Sequence, residues 1–206
     1  MIVTKINQCF ISRMLQRKWK GGFSWQIGEP SSLPGKVTKS QLTNLVKKSL
    51  DAWARVAKLQ FQHKTYNADT TITFQKLGNH PRTDWCPKYF RKTELAHASI
   101  YEPNYVHING DRPDWVHKKG KAGTPILELV AHELGHNLGL GHTHNDGDLM
   151  NPINQKKSYE YVQFSSADIQ SIRAIHGAPV NTEKRRWTPA KRGGGRNSWQ
   201  NWIKRG

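Results

Sequence analysis

Hydrophobic and polar residues alternate in several short segments of the chain, and this two-residue period is typical of strands. The clearest example is the segment 23–27, where apolar residues occupy every second position. Residues 69–77 repeat the pattern, and residues 94–101 and 105–109 are shorter candidates for strands. Glycine and proline fill residues 28–35, which predicts a loop. The chain is therefore expected to contain a sheet.

Three other segments carry apolar residues at the 3.6-residue period of a helix. They are residues 39–58, residues 126–138 and the segment between Ser165 and Gly177. Capping or flexible residues stand where each helix should begin or end. These residues are Thr38 and Gln41 at the start of the first helix, Gly139 after the second, and Ser165, Asp168 and Gly177 around the third.

The composition limits the class of protein. The chain has 206 residues, of which 35% are hydrophobic and 8 are tryptophan, enough for one domain with a buried core. No apolar run approaches the ~18 residues that a membrane span needs, so an integral membrane protein is not expected. The two cysteines, Cys9 and Cys86, are too few for a disulfide framework.

The formal net charge of +17 is concentrated at the two ends of the chain. Residues 1–20 carry +5 and residues 178–206 carry +7, which leaves only +5 for the middle. Residues 178–206 have no apolar period, so they are expected to be flexible or ordered only on a partner. Their cations alternate with tryptophans, a composition that suits a polyanion such as single-stranded nucleic acid or sulfated glycan. A tail that is only solubilising is the alternative.

The strongest candidate for chemistry is a short segment that begins at His132. His132 and His136 are one helical turn apart, so both imidazoles leave the same face and can share one ion. Gly139 can turn the chain sharply out of the helix and bring His142 back as a third ligand. Three histidines leave one position of a tetrahedral Zn²⁺ open for water, and Glu133 stands where it can deprotonate that water. A core helix with chance histidines is the alternative.

This motif resembles that of the metzincin metallopeptidases, and the residues after it are similar to those of the matrixins (matrix metalloproteinases). Thr143 follows the third histidine, at a position where matrixins usually carry Ser or Thr. Met150 lies in a Leu-Met-Asn-Pro segment like the methionine turn of that family, where its implied role is an apolar floor under the histidines. The likeness begins at Arg17-Lys18-Trp19 and continues to Gly177.

The resemblance implies an α+β fold of the metzincin, or zincin-like, type. Such a fold has a twisted, mostly parallel sheet with an antiparallel edge strand, an active-site helix, and a small C-terminal subdomain with a closing helix. It divides the chain into an N-terminal extension at 1–16, a catalytic domain at 17–177 and a basic tail at 178–206. The family also implies an extracellular or secreted monomer, although residues 1–15 form no clear signal peptide.

Matrixins carry a second, structural zinc, held by three histidines and one aspartate in the region before the active-site helix. The resemblance implies His80, His97 and His107 as the histidines. Arg82 occupies the position of the family's aspartate, so Asp84, the nearest carboxylate, is assigned instead. A closed site of four ligands would hold the long loop at 79–93 in place. Surface histidines in loops are the alternative.

Two features depart from the family. The acidic stretch that binds Ca²⁺ is reduced here, so the resemblance carries a calcium site only in part; the remaining residues are Asn109, Gly110, Asp111 and Asp114. The Pro-Arg-Cys-Gly-like motif whose cysteine blocks the zinc in matrixin zymogens is not found in this sequence. Cys9 lies upstream of the mature start and could donate a thiolate, but an ordinary free or disulfide-bonded cysteine is favoured.

The family also implies how a substrate binds. An extended peptide would add a strand to the sheet edge near Leu95 and Ala96, with a side-chain pocket beside the zinc. Glu128 lies four residues before His132, near the mouth of that pocket in the family pattern, and would favour a basic residue after the cut. A solvated glutamate at the start of the helix is the alternative, and it is the interpretation favoured by the sequence.

Together these features predict a zinc-dependent endopeptidase that cleaves protein or peptide substrates. Glu133 is the predicted general base and acid, which takes a proton from the water and passes it to the leaving amine. The alternative is a catalytically silent protein of metzincin fold that binds a polyanion through its basic termini. The presence of Glu133 together with all three histidines favours the enzyme.

Overall fold

The computed structural model describes residues 23–30, 37–76, 94–99, 104–112, 114–116, 124–152 and 160–179. Within these ranges the chain forms seven strands and three helices. The strands are β1 Phe23–Ile27, β2 Phe61–His63, β3 Thr70–Gln75, β4 Ala96–Ala98, β5 Asn104–Asn109, β6 Trp115–Val116 and β7 Thr124–Pro125. The helices are α1 Lys39–Val56, α2 Leu127–Asn137 and α3 Ser166–His176.

Five of the strands form one mixed sheet in the order β2-β1-β3-β5-β4. The pairs β1–β2, β1–β3 and β3–β5 are parallel, whereas β4 runs antiparallel to β5. The prediction of a mostly parallel sheet with an antiparallel edge strand is therefore confirmed. Strands β6 and β7 form a separate parallel pair.

Helix α1 packs against α2 through a continuous apolar stripe. Its buried residues include Leu42, Val46, Leu50 and Trp53, which follow the 3.6-residue period. The indole Nε1 of Trp53 donates to the carbonyl oxygen of Ala131 in α2 at 3.0 Å. The helix ends at Val56, two residues earlier than predicted.

Thr38 and Gln41 form the predicted capping box at the start of α1. The Thr38 hydroxyl accepts from the Gln41 backbone N–H at 3.2 Å, and the Gln41 side-chain oxygen accepts from the Thr38 N–H at 2.8 Å. Both bonds satisfy amides that the helix itself leaves unpaired.

We expect Thr38→Ala to destabilise the fold by about 1 kcal/mol, because it removes the acceptor for the Gln41 amide. For a domain of this size the expected fall in melting temperature is about 2–4 °C. Thermal unfolding checks the value, with Thr43→Ala as the matched control. The Thr43 hydroxyl only donates to the Lys39 carbonyl within the helix, and that bond caps nothing. An equal loss in both variants would contradict the capping role.

All eleven residues of α2 are buried, so this helix lies inside the domain rather than on its surface. Asn137 fixes its C-terminal end to the sheet. The Asn137 side-chain amide donates to the Ser99 carbonyl oxygen at 2.5 Å and accepts from the Thr70 hydroxyl at 2.9 Å. The end of the helix therefore has a fixed position relative to both β3 and the residue that follows β4.

Helix α3 closes the described part of the chain. Ser165 and Asp168 form the second predicted capping box, with the Ser165 hydroxyl accepting from the Asp168 N–H at 3.1 Å. Gly177 ends the helix with φ of 83°, a conformation that favours glycine, as predicted. No helix among the described residues is long and apolar enough to cross a membrane.

Several predictions concern residues outside the described ranges. These are the N-terminal extension at 1–16, the loop at 79–93 with His80 and Asp84, Cys9 and Cys86, and most of the tail at 178–206.

Candidate metal centre

Three imidazoles converge at the C-terminal end of α2. His136 Nε2 lies 3.1 Å from His132 Nε2 and 3.1 Å from His142 Nε2. Two of these histidines come from one helix face, and Gly139, with φ of 94°, turns the chain so that the third can reach them. Within the described residues these are the one group of three or more candidate ligands whose donor atoms all lie within 4.8 Å of one another.

The hydrogen bonds of the Nδ1 atoms, which face away from the point of convergence, decide the tautomers of His132 and His136. His132 Nδ1 lies 2.7 Å from the Leu149 carbonyl oxygen, and His136 Nδ1 lies 2.9 Å from the Leu140 carbonyl oxygen. A carbonyl can only accept, so both Nδ1 atoms carry the proton and both Nε2 atoms present lone pairs. Two lone pairs that face each other at 3.1 Å cannot form a hydrogen bond, whereas a cation between them satisfies both.

Burial favours the neutral form of His132 and His142. Desolvation lowers the pKa of His132 to about 4, with a smaller contribution in the same direction from His142, while the Leu149 hydrogen bond opposes the shift. Desolvation also lowers the pKa of His142, and His144 adds to that effect. Neutral imidazole is the form that binds a metal. For zinc, Zn–N distances of about 2.0–2.1 Å in a tetrahedron place two nitrogens roughly 3.3 Å apart, close to the observed separations.

Two glutamates of α2 lie close to the histidines along the helix. Glu133 is 1% exposed and precedes His136 by three residues, so its side chain borders the face that carries the histidines. Glu128 precedes His132 by four residues, on that same face, and is 4% exposed. The alternative of a solvated Glu128 is therefore wrong, because the start of α2 is buried inside the domain.

Met150 packs directly beneath the helix that carries the histidines. A Cβ placed on Gly135 would lie 2.6 Å from the Met150 Sδ, so only glycine leaves room for the sulfur there. The Asp168 carboxylate holds this turn from the other side, accepting from the Leu149 N–H at 2.8 Å and the Met150 N–H at 3.2 Å. The sequence predicted Asp168 only as a helix cap, since nothing in the local pattern indicates a contact to a turn eighteen residues away.

The structure brings together two of the four residues predicted for the structural zinc. His97 and His107 are direct partners across β4 and β5, and His97 Nε2 lies 3.1 Å from His107 Nδ1. They are 2% and 0% exposed, so the alternative of surface histidines in loops is wrong for this pair. Sequence analysis missed Glu94, whose Oε1 lies 3.1 Å from His97 Nδ1.

Leu95 and Ala96, the two predicted substrate-binding residues of the sheet edge, direct their backbone N–H and carbonyl groups to opposite sides of the strand. The Leu95 carbonyl accepts from the Asn109 N–H at 2.9 Å, so Leu95 directs its backbone toward β5. In an antiparallel pair the next residue faces the other way, so Ala96 directs its N–H and carbonyl toward the outer side of β4. β4 is the last strand of the sheet among the described residues.

Few side chains of the reduced acidic stretch are placed to bind calcium. The Asn109 side-chain oxygen accepts from the Asp111 N–H at 3.1 Å, and its amide donates to the Glu94 carbonyl at 3.0 Å. Asp114 pairs with Arg112 through two contacts of 2.8 and 2.7 Å. This ion pair already supplies the Asp114 carboxylate with a cationic partner.

A mixed sheet, a buried helix with two histidines one turn apart, and a third histidine after a glycine turn define a metallopeptidase fold of the metzincin class. A sequence model of the matrixin family matches residues 18–177. The chain belongs to the matrixin family, and this membership implies zinc.

Named relatives agree with this assignment. Matrix metalloproteinase-C of Caenorhabditis elegans is 28% identical over 187 residues, covering 85% of this chain and 31% of the relative. Stromelysin-2 of Rattus norvegicus is 29% identical over 79% of this chain and 36% of its own length. Macrophage metalloelastase of Rattus norvegicus is 32% identical over 70% of this chain and 30% of its own length. The chain thus spans about a third of the length of these relatives.

Proposed function

We propose that this chain is a zinc-dependent endopeptidase that hydrolyses peptide bonds of protein substrates. The observation that carries the proposal is the convergence of three Nε2 atoms on one point, with the Nδ1 atoms of His132 and His136 held by backbone carbonyls. Such carbonyl partners orient metal-binding histidines and fix their tautomers. His132, His136 and His142 are the proposed ligands of the catalytic ion.

Zinc bound there supplies a Lewis acid and lowers the pKa of a water molecule toward about 7. Glu133 takes the proton of the attacking water and delivers it to the nitrogen of the departing amine. Its burial removes competing solvent, and its place on the helix next to His132 keeps the carboxylate close to the reacting water. Met150 and Asp168 keep the histidines in position rather than react.

Substrate is proposed to bind as an extended strand along the outer side of β4. Ala96 is the proposed main-chain contact, because its N–H and carbonyl face away from β5. Asn137 joins the metal-bearing helix to Ser99, one residue beyond β4. The distance between the proposed substrate strand and the histidines is therefore fixed by a partly buried hydrogen bond.

The first test is the dependence of cleavage on metal. The full chain should cleave a broad set of fluorogenic peptides, lose this activity when zinc is removed with a chelator, and regain it when Zn²⁺ is added back. Cleavage that persists in metal-free protein would refute the proposal. Zinc binding without any cleavage, together with retention on heparin or single-stranded DNA, would favour the silent binding protein.

Glu128 is proposed to set a preference for a basic residue directly after the cut. We expect Glu128→Gln to lower cleavage of peptides with Lys or Arg at that position about ten- to a hundred-fold relative to peptides with Leu. The reason is that hydrogen bonds to charged groups contribute roughly 1.5–3 kcal/mol, and 1.4 kcal/mol is tenfold. Ratios of kcat/KM on paired peptides measure the effect.

Glu29→Gln is the matched control for Glu128→Gln. Glu29 is exposed on the surface, where it pairs with Lys39, so its loss changes the net charge equally without touching α2. The control should leave the peptide ratio unchanged. An unchanged ratio in Glu128→Gln as well would remove this residue from the specificity proposal.

We further propose that the basic ends of the chain localise a monomeric enzyme outside the cell, rather than take part in the chemistry. Deletion of residues 178–206 should weaken retention on heparin and reduce its salt dependence, because fewer cations release counterions. Peptide cleavage should be unaffected. Unchanged retention would overturn the localising role of the tail.

We propose a second, structural zinc ion at the buried pair His97 and His107, completed by His80 and Asp84 from the segment outside the described residues. The support is the separation of 3.1 Å between the two ring nitrogens, the same value as in the histidine trio. We propose Asp111 rather than Asp114 as the carboxylate of a Ca²⁺ site in this stretch, since Asp114 is engaged by Arg112.

A further inference from the structure

A buried carboxylate and two buried imidazoles form a row beside the sheet edge, outside the histidine trio. Glu94 Oε1 lies 3.1 Å from His97 Nδ1, and His97 Nε2 lies 3.1 Å from His107 Nδ1. The three residues are 1%, 2% and 0% exposed. A buried charge is costly unless it is paired and hydrogen-bonded, so the position of Glu94 needs a reason.

An ionised Glu94 gives the row one direction of hydrogen bonding. Its carboxylate then only accepts, so a neutral His97 ring carries its proton on Nδ1, facing Glu94, and presents a lone pair on the opposite nitrogen, Nε2. That lone pair faces His107 Nδ1. The same arrangement recurs in the histidine trio, where an acceptor holds the outer nitrogen of His132 and His136 and leaves the inner nitrogen bare.

The strands fix the two imidazoles independently of Glu94. His97 and His107 are register partners in the antiparallel pair β4–β5, so their Cβ atoms are on the same face of the sheet. The Tyr105 ring stacks on His107 with centroids 4.3 Å apart and also contacts the His97 ring edge-on at 6.0 Å. Glu94 therefore need not hold the rings in place, and its specific contribution is the protonation pattern of His97.

We propose that Glu94 is the outer carboxylate of the second metal site: it holds the His97 tautomer whose Nε2, with His107 Nδ1, binds a divalent ion. Glu94 is a positioning residue and not a ligand, because its carboxylate contacts the side of the ring away from His107. The inference rests on the proposed structural zinc. A negative carboxylate behind the ring also raises the basicity of the ligating nitrogen.

The test measures how many metal ions bind and how tightly each one binds, and it does not depend on peptide cleavage. Metal-free full-length protein is titrated with Zn²⁺ and, in parallel, with Co²⁺, whose absorption reports each site as it fills. Wild type should take up two equivalents. Glu94→Gln should still take up the first equivalent normally and bind the second about 10–100-fold more weakly, the usual effect of losing an outer partner of a metal-binding histidine.

Glu29→Gln is the charge-matched control, since it removes an exposed carboxylate that pairs with Lys39 and contacts neither histidine of the row. It should leave the affinity of the second equivalent unchanged. His107→Gln should abolish the second equivalent and identify it in the Co²⁺ spectrum. Thermal unfolding and uptake of the first equivalent verify that each variant is folded.

The outcomes distinguish the existence of the second metal site from the role of Glu94 in it. One equivalent in wild type would overturn the second site, and the row would then be a metal-free relay in which His107 Nδ1–H donates to His97. Two equivalents in wild type with an unchanged second affinity in Glu94→Gln would overturn the role of Glu94 alone. Glu94→Asp keeps the charge on a shorter side chain and should restore part of the second affinity that Glu94→Gln loses. If Glu94→Gln does not fold, Glu94→Asp is compared with wild type and should bind the second equivalent more weakly. No restoration by Glu94→Asp in folded protein would also count against the role of Glu94.

Discussion

Glu133→Gln should lower kcat for peptide cleavage by about 10²–10⁴-fold, the range that general acid–base groups contribute. Glutamine has nearly the same shape as glutamate but cannot take a proton from water at neutral pH. The residue lies beside the histidine trio without being one of the three converging donors, so zinc content should stay at the wild-type level. Steady-state kinetics with metal analysis of the same sample measures both quantities.

The control for this prediction is Asp146→Asn, which removes an exposed carboxylate from the segment after His142. It should leave kcat within about twofold of wild type. Full cleavage by Glu133→Gln with zinc in place would assign the proton transfers to another group. Loss of zinc together with loss of cleavage would instead give Glu133 a role in holding the site together.

Gly135→Ala should destabilise the domain and weaken zinc binding, although alanine ordinarily favours a helix by about 1 kcal/mol over glycine. The new Cβ would lie 2.6 Å from the Met150 Sδ and 3.2 Å from Trp53 Cζ2. Trp53 is fixed by its bond to the Ala131 carbonyl, so the strain falls on Met150 and the turn that carries it. Overpacking of a core costs about 1–3 kcal/mol, which outweighs the gain in helix propensity.

Gly141→Ala provides the matched comparison, because a Cβ there meets nothing within 4 Å. Its melting temperature should equal or slightly exceed that of wild type, whereas Gly135→Ala should melt a few degrees lower. Thermal unfolding with and without bound zinc separates loss of packing from loss of metal. A stable Gly135→Ala with normal zinc affinity would show that the Met150 turn can move aside freely.

Sequence patterns predicted well those elements whose conformation depends on residues close by in the chain. The capping boxes at Thr38 and Ser165 and the glycine stops at Gly139 and Gly177 depend only on neighbours in the chain, and each is observed. The histidine trio could also be predicted from the sequence. One helical turn and one glycine turn are enough to bring those three side chains together.

The features that escaped prediction depend on contacts between distant segments. Strand β2 has only three residues and exists by pairing with β1, and the two-residue strands β6 and β7 exist by pairing with each other. The burial of Glu128 follows from the packing of all of α2 inside the domain, which no alternating pattern indicates. Glu94 stands only three residues before His97, but its burial beside that ring depends on the pairing of this segment with β5, which the local pattern does not indicate.

The Asp168 carboxylate has two functions that the chain would otherwise perform separately. It completes the cap of α3 by accepting from the Ser165 N–H at 2.8 Å, and it holds the Leu149 and Met150 amides. Unwinding the first turn of α3 therefore releases the turn under the histidines, so the two segments should open as one cooperative unit. In hydrogen exchange, the Met150 amide and the amides of α3 should show the same opening free energy. A helix remote in sequence thereby sets how often the metal-binding histidines lose their support.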